Sequence, residues 1–101
     1  MRYGILGTTQ AHRDDGTAVA LGGARLRALL AALALRPGRA RAAEALIDEI
    51  WESDPPADAH GALQALVGRL RRALGHDAVE SADGGGYRLR AEPDDVDLHR
   101  P

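Results

Sequence analysis

The stretch from Asp58 to Gly75 restricts the fold more than any other part of this chain. Its apolar residues recur at spacings of three, four and seven, which is the period of a helix with one buried face. Asp58 can cap the first turn and Gly75 can end the last one, so the sequence predicts a helix over residues 59–74. The predicted buried face consists of Leu63, Leu66, Val67, Leu70 and Leu74.

The opposite side of this predicted helix is polar and basic. Glutamine can hydrogen-bond to a base edge and arginine can hold phosphates, so such a face suits a nucleic-acid groove. The candidate DNA-binding residues are His60, Gln64, Gly68, Arg69, Arg71 and Arg72. Taken alone, the pattern is equally consistent with a core helix whose arginines are only solvated.

Composition excludes several classes of function. The chain has 101 residues, which suits one small domain. It has no cysteine and only four scattered histidines, so no disulfide, metal site or cofactor is predicted. No apolar run approaches the roughly 18 residues that span a bilayer, and the N-terminus lacks a signal-peptide pattern, so we expect a cytoplasmic protein without membrane contact. The absence of a nucleophile–base set and of a phosphate loop argues against an enzyme.

The charges are arranged in blocks, although the formal net charge is only −2. Arginines cluster at 36–41, at 69–72 and at 88–90, whereas acidic residues concentrate at 44–58 and 92–97. All 13 basic residues are arginine. Local potential steers binding more than net charge does, so this composition is compatible with a basic surface.

The remaining segments give an order of strands, helices and a terminal hairpin. Residues 3–6, 8–13 and 18–21 are predicted as short strands, separated by glycine and turn signals. One helix carries the leucines at 26, 29, 30 and 33 and ends near residue 36, and another covers 43–51. Strands at 78–81 and 87–90, joined by the turn 83–86, predict a β-hairpin. This order predicts an α+β fold: a winged helix-turn-helix with an N-terminal antiparallel sheet, three helices and a C-terminal hairpin wing.

The core is expected where the three helices meet. Trp51 should fill core space, because a chain without phenylalanine has few large groups available. Exposure of Leu66 or Leu70 would show that the helical phase is wrong. The buried face of helix 59–74 is expected to contact Leu29, Leu30, Leu33, Ile47, Ile50 and Trp51.

An ordered series of short motifs resembles a known family from one end of the chain to the other. The motifs are 3–7 (YGILG), 21–23 (LGG), 27–31 (RALLA), 36–38 (RPG), 46–48 (LID), Trp51, 54–56 (DPP), 63–64 (LQ), 70–75 (LRRALG) and 86–89 (GYRL). The chain resembles the OmpR/PhoB-type DNA-binding domain as it occurs in the AfsR/SARP family of actinobacterial transcriptional activators.

This resemblance implies sequence-specific binding to double-stranded DNA by an activator of a secondary-metabolite gene cluster. Helix 59–74 would enter the major groove, and the wing at 82–89, with Arg88, would lie on the minor groove or the backbone. Within the 52–58 loop, the residues that would face RNA polymerase are Glu52, Ser53, Asp54, Pro55 and Pro56.

The resemblance also implies a mode of assembly and a domain boundary. The protein would be a monomer in solution and a tandem pair on direct repeats in DNA. Residues 1–91 would form the DNA-binding domain. Residues 92–101 would be an acidic linker or the start of a missing activation domain, because the segment 95–98 resembles the family's junction.

Several positions depart from the family's pattern, and three of them bear on helix capping and base reading. Ala42 stands where a capping Ser or Thr is common, and alanine cannot cap a helix. Leu66 and Gly68 stand where Tyr or His and then Ser or Ala are common. A glycine in mid-helix costs about 1 kcal/mol relative to alanine and donates no side-chain hydrogen bond.

These departures keep a second function open, namely a protein-interaction winged helix that has lost base-specific DNA binding. The two functions differ in where the arginines point. DNA binding is favoured if Gln64, Arg69 and Arg71 project from one surface together with Arg88.

Overall fold

The N-terminal sheet is built from two strands of three residues each. The computed structural model describes residues 1–5 and 9–96. In it, β1 (Arg2–Gly4) pairs antiparallel with β2 (Gln10–His12), and Tyr3 lies opposite Ala11. Both of these central residues are buried, so the sheet turns one face to the core.

The third predicted strand, at 18–21, is wrong in its length. Ala18 forms a single bridge to His12, and the Val19 N–H donates to the Ala11 carbonyl oxygen at 2.9 Å. Pairing ends there, and two glycines, which weaken a strand, follow within three residues at 22–23. The end of the first predicted strand and the start of the second, residues 6–8, lie outside the described residues.

Three helices follow at the predicted places. They are α1 (Ala24–Ala34), α2 (Ala43–Trp51) and α3 (Ala59–Leu74). The Asp58 carboxylate accepts a hydrogen bond from the Gly61 N–H at 3.1 Å, so the predicted cap of α3 is present. Ala42 gives α2 no side-chain cap. Within the described ranges, no helix has both the length and the apolar character needed to cross a bilayer.

The core lies between the three helices and the inner faces of the two sheets. The predicted phase of α3 is confirmed, because Leu66 is 6% exposed and Leu70 is 0% exposed. Trp51 is half-buried and packs against the same core. Among the largest fully buried side chains are Leu29, Leu30, Leu33, Leu46, Leu63, Leu70 and Leu89.

The wing is a hairpin of β3 (Val79–Ser81) and β4 (Tyr87–Leu89), as predicted. The connection between α1 and α2 lies along its edge. The Arg41 N–H donates to the Tyr87 carbonyl oxygen at 2.7 Å, and the Tyr87 N–H donates back to the Arg41 carbonyl oxygen at 3.0 Å. This connection therefore acts as a third segment of the wing sheet.

The segment after the wing returns to the N-terminal sheet. Residues Pro93–Asp95 form one 3-10 turn, and Val96 then bridges Tyr3 in parallel orientation. Val96 is 7% exposed. The segment predicted as a linker from residue 92 thus begins with residues that pack on the domain.

Candidate nucleic-acid interface

The face of α3 opposite the core is the candidate interface. Gln64 and Arg72 are exposed there, and Gly68 lies half-buried between them. Ala65 is exposed on the same face. The methyl group of Ala65 gives no polar signal in the sequence, although the helical phase places it there.

Arg69 lies on the flank of α3 that faces the start of α1. Its Nη2 donates to the Gly22 carbonyl oxygen at 2.8 Å, and the side chain remains exposed. This bond joins α3 to the segment that precedes α1. The guanidinium of Arg69 is therefore partly engaged within the protein.

Arg71 extends from the other flank, towards the wing. Its Nε donates to the Val79 carbonyl oxygen at 3.0 Å, and its Nη2 donates to the Ser81 Oγ at 3.2 Å. The residue is half-buried. Two of its five N–H groups are thus directed at β3 rather than at solvent.

Arg72 is exposed and keeps its donors free. Within residues 1–5 and 9–96 it makes no hydrogen bond or ion pair. Its Nη1 lies 3.7 Å from where a Cβ on Gly68 would be, so the side chain extends back over that glycine. This geometry leaves the whole guanidinium available to a phosphate.

Arg88 is paired on the wing. Its Nε donates to the Glu80 Oε1 at 3.0 Å, and both side chains are 42% exposed. Exposed pairs of this kind contribute about 0–1 kcal/mol, so a phosphate can replace Glu80 at little cost. The hairpin register places the two residues opposite each other, which is the sequence signal that could have revealed the pair.

The four predicted arginines are therefore not equivalent. Arg69 and Arg71 leave opposite flanks of α3, and Arg88 is held by a carboxylate on the wing. Among these four, Arg72 alone is exposed with every donor free. Of the four predicted arginines, the free protein thus presents one that is uncommitted and three that already have partners.

His60 lies at the start of α3 beside the first turn of α2. Its Nε2 is 3.8 Å from the Glu44 Oε1, and both side chains are exposed. The pair is ionic only when the imidazole is protonated. His60 thus lies at the junction of the two helices, at the opposite end of α3 from the arginines.

Gly86 determines how closely the wing approaches the helix-turn-helix. A Cβ added at this position would lie 2.4 Å from the Arg41 carbonyl oxygen, and the residue is buried. Because that oxygen belongs to the backbone, it cannot swing aside. The sequence predicts Gly86 as part of the turn, whereas in the structure it allows close packing.

The loop between α2 and α3 forms a separate acidic surface. Residues 52–58 are all exposed. Glu52 has φ 55° and ψ −117°, a conformation that is strained for a residue with a Cβ. The Asp54 N–H donates to the Trp51 carbonyl oxygen at 3.0 Å, which closes the first turn of the loop.

The three helices, the wing and the exposed face of α3 define a winged-helix domain of the kind found in DNA-binding proteins. Residues 16–89 match the family described as "Transcriptional regulatory protein, C terminal". The chain belongs to this OmpR/PhoB-type family, which confirms the resemblance found in the sequence.

The relatives are transcriptional regulators much longer than this chain. Regulatory protein AfsR of Streptomyces coelicolor is 43% identical over 90 residues, which are 89% of this chain and 9% of AfsR. Transcriptional regulator RedD of the same organism is 38% identical over 83 residues, 75% of this chain and 24% of RedD. Transcriptional regulatory protein EmbR of Mycobacterium tuberculosis is 35% identical over 103 residues, 97% of this chain and 26% of EmbR. The chain is therefore a regulator DNA-binding domain of the AfsR, EmbR and RedD type.

Two solved structures share the fold. Mycobacterium tuberculosis EmbR, in complex with a low-affinity phosphopeptide, has a TM-score of 0.83 at 33% identity and covers 94% of this chain and 26% of EmbR. The DNA-binding domain of Bacillus subtilis CssR has a TM-score of 0.67 at 25% identity and covers 79% of this chain and 89% of that domain. The predicted winged helix-turn-helix is thereby confirmed.

Proposed function

We propose that this domain binds double-stranded DNA in a sequence-specific manner, as part of an activator of a secondary-metabolite gene cluster. In this proposal α3 enters the major groove and the 82–89 wing lies against the minor groove or the backbone. The observation that carries the proposal is the exposed face of α3, where Gln64 and Arg72 flank the small residue Gly68. We expect the protein to act in the cytoplasm, in association with the nucleoid.

In this proposal some side chains of the interface contribute affinity and others contribute specificity. Arg72 holds a phosphate, and Gln64 reads a base edge. Arg88 exchanges Glu80 for a phosphate when the wing reaches DNA. If Arg69 and Arg71 also contacted phosphates, four released counterions would give a slope of about −3.6 in log affinity against log salt. If both keep their intramolecular bonds, two contacts give about −1.8.

A comparison of two duplexes across a salt series tests this proposal. One duplex carries the promoter upstream of the protein's own gene cluster, and the other is a scrambled version of equal composition. Arg72→Ala should weaken binding to both alike and reduce the salt slope by about 0.9. Gln64→Ala should instead narrow the gap between the two duplexes by about 1–3 kcal/mol.

A matched control is available in the N-terminal sheet. Arg13 is exposed directly after β2, outside both α3 and the wing, so Arg13→Ala removes the same charge without changing a residue of the proposed interface. It should leave both affinities within about twofold of wild type. Equal binding of wild type to the two duplexes would show that base readout is absent.

The acidic loop is proposed to face RNA polymerase. Its support is the full exposure of residues 52–58, the stiff pair Pro55–Pro56 and the strained start at Glu52. Neutralising Glu52 and Asp54 to Gln and Asn should reduce transcription in a purified system while leaving DNA affinity unchanged. An unchanged transcript level would remove polymerase from the proposal.

We further propose a monomer in solution that pairs head to tail on direct repeats. The support is the shortage of exposed apolar surface: among the described residues Leu35, 51% exposed, is the one large hydrophobic side chain that is exposed. Sedimentation at micromolar concentration should give a monomer, and a duplex with two repeats should bind two copies. A stable dimer without DNA would contradict this assembly.

A protein-interaction domain is the second candidate. The observation in its favour is that Arg69, Arg71 and Arg88 all have partners within the protein. If wild type binds neither duplex, even at low salt, this second function replaces the first.

A further inference from the structure

The contact between Arg71 and β3 has a consequence for the geometry of the wing. We propose that Arg71 is a positioning residue: it fixes the angle and distance between α3 and the wing, and so places Arg88 on DNA, without contacting DNA itself. This inference rests on the proposed DNA binding, but the wing contact can be measured without DNA.

The guanidinium is well suited to such a role. Its Nε and Nη2 bond two points on β3, the Val79 carbonyl oxygen at 3.0 Å and the Ser81 Oγ at 3.2 Å. A planar fork with fixed donor directions sets an orientation as well as a distance, whereas an ammonium group sets only a distance. Arg71 therefore holds β3 at two of its three residues.

The rest of the wing is attached elsewhere. Its base is packed through the buried residues Val79 and Leu89, and Tyr87 is paired with Arg41 through the backbone. Among the described residues, Arg71 makes the only hydrogen bonds from an α3 side chain to the wing. Within the described residues, Arg71 is therefore the one α3 side chain that sets the direction of the wing by hydrogen bonds.

No charge partner explains the position of Arg71. In the described part of the chain no carboxylate oxygen lies within 4 Å of its guanidinium nitrogens, and Glu80, on the same strand, is paired with Arg88. Its acceptors are a carbonyl and a hydroxyl, both on the wing. A direct phosphate contact through its remaining N–H groups is the competing role, and the two roles predict different results.

The first measurement is amide hydrogen exchange in the free protein. The Ala82 N–H is bonded to the Gly86 carbonyl oxygen, and the Tyr87 N–H to that of Arg41, so both report on the wing. Arg71→Ala should speed exchange at these two amides by about tenfold relative to amides of α1. Ser81→Ala, which removes one bond, should give a smaller increase, and Arg72→Ala should give none.

These variants also guard against a trivial result. If Arg71→Ala does not fold, Arg71→Lys and Ser81→Ala test the same contact more gently, and lysine should restore only part of the protection. Wing amides that exchange as in wild type, in both Arg71→Lys and Ser81→Ala, would overturn the positioning role.

The second measurement is the salt slope of duplex binding for Arg71→Ala, Arg88→Ala and the double variant. If Arg71 positions Arg88, each single variant loses the contact between Arg88 and a phosphate. The slope of log affinity against log salt then falls in magnitude by about 0.9 in each single variant and by no more in the double variant. If Arg71 contacts a phosphate itself, the double variant loses about 1.8. Additive losses would therefore overturn the proposal. If wild type binds no duplex at all, the proposed function fails, while the exchange rates still decide whether Arg71 holds the wing.

Discussion

The two small sheets of this domain are similar in size but are attached to the helices by different means. The N-terminal sheet turns Tyr3 and Ala11 into the core, and Val96 covers its edge as a buried side chain. The wing is joined at its edge by backbone bonds to Arg41, by close contact at Gly86 and by the donors of Arg71.

Both sheets depend on these attachments for their stability. An isolated two-stranded hairpin is marginal in water, so each needs support from a third segment of the chain. Both sheets bury apolar side chains and share backbone bonds with a third segment. The wing adds side-chain hydrogen bonds from Arg71, and these directional bonds fix its orientation. Variants in the first sheet should therefore change stability, whereas variants around the wing should change stability and binding geometry together.

The largest effect is expected at Gly86. Gly86→Ala places a Cβ 2.4 Å from the Arg41 carbonyl oxygen, so the wing must separate from the α1–α2 connection. We expect a loss of up to about 3 kcal/mol in the free energy of unfolding by urea, together with weaker DNA binding. Gly85→Ala is the control: it has open space and a φ of 88°, and should cost only about 1 kcal/mol. Equal losses would show that the close contact is unimportant.

Removal of the Arg41 side chain should have the next largest effect. Its Nη1 donates to the Ala32 carbonyl oxygen at 3.0 Å, and its Nη2 donates to Glu49, so the side chain fixes the segment that pairs with the wing. Arg41→Ala should lower stability by about 2 kcal/mol in urea titrations. Arg39→Ala, at an exposed position two residues earlier, should stay within about 0.5 kcal/mol of wild type. Similar results for both variants would contradict the role given to Arg41.

The N-terminal sheet should respond to Val96 through stability alone. Val96→Ala removes buried apolar surface and should cost about 1.5 kcal/mol, with DNA affinity unchanged where the protein is folded. Asp94→Ala, at an exposed position in the adjoining turn, serves as the control and should have little effect. If Val96→Ala is as stable as wild type, the ordered domain ends before this residue, as the sequence boundary at 91 implied.

The smallest effect at neutral pH, and a distinctive one in alkali, is expected at Tyr3. Burial raises the pKa of Tyr3 from 10.0 to about 12, and the nearby carboxylates of Asp95 and Asp14 add to this rise. The unfolded chain thus loses the proton first, so the contribution of Tyr3 to stability should be constant well below pH 10 and should be lost between pH 10 and 12. The chain has no lysine that would titrate in this window. Urea midpoints of Tyr3→Phe should show a smaller decline, and identical declines would contradict the shift.

The sequence predicted the helices and their buried faces because both depend on local period. The burial of Leu66 and Leu70 follows from the apolar spacing within the 16 residues of α3 itself, and the capping residues are adjacent to this helix in sequence. The partners of the arginines could not be predicted in this way. Arg69 donates to a backbone carbonyl 47 residues earlier in the chain. Every residue has such a carbonyl, so the sequence does not indicate which one accepts the bond.

The strands were less predictable than the helices for a related reason. Three-residue strands give little alternation to detect, and the segment at 18–21 contributes one bridge through Ala18. Each sheet is extended by a segment that bridges one of its strands, at Arg41 in the wing and at Val96 in the N-terminal sheet. Both segments lie in regions that the sequence predicts as loops or linkers. Their pairing is decided by the packing of the helices, which brings distant backbone together.

The pairing of Arg41 with Tyr87 has a practical consequence for how this domain tolerates changes in chain length. Residues 38–41 are bonded at both ends to β4, so an extra residue there would shift the strand register of the wing. The tip at 83–85 is exposed and has open space around its glycines, and the 52–58 loop is exposed throughout. The fold should therefore accommodate an insertion, a reporter peptide or a fluorophore most readily at the tip or in that loop, but a label there would lie on a surface proposed to face DNA or RNA polymerase.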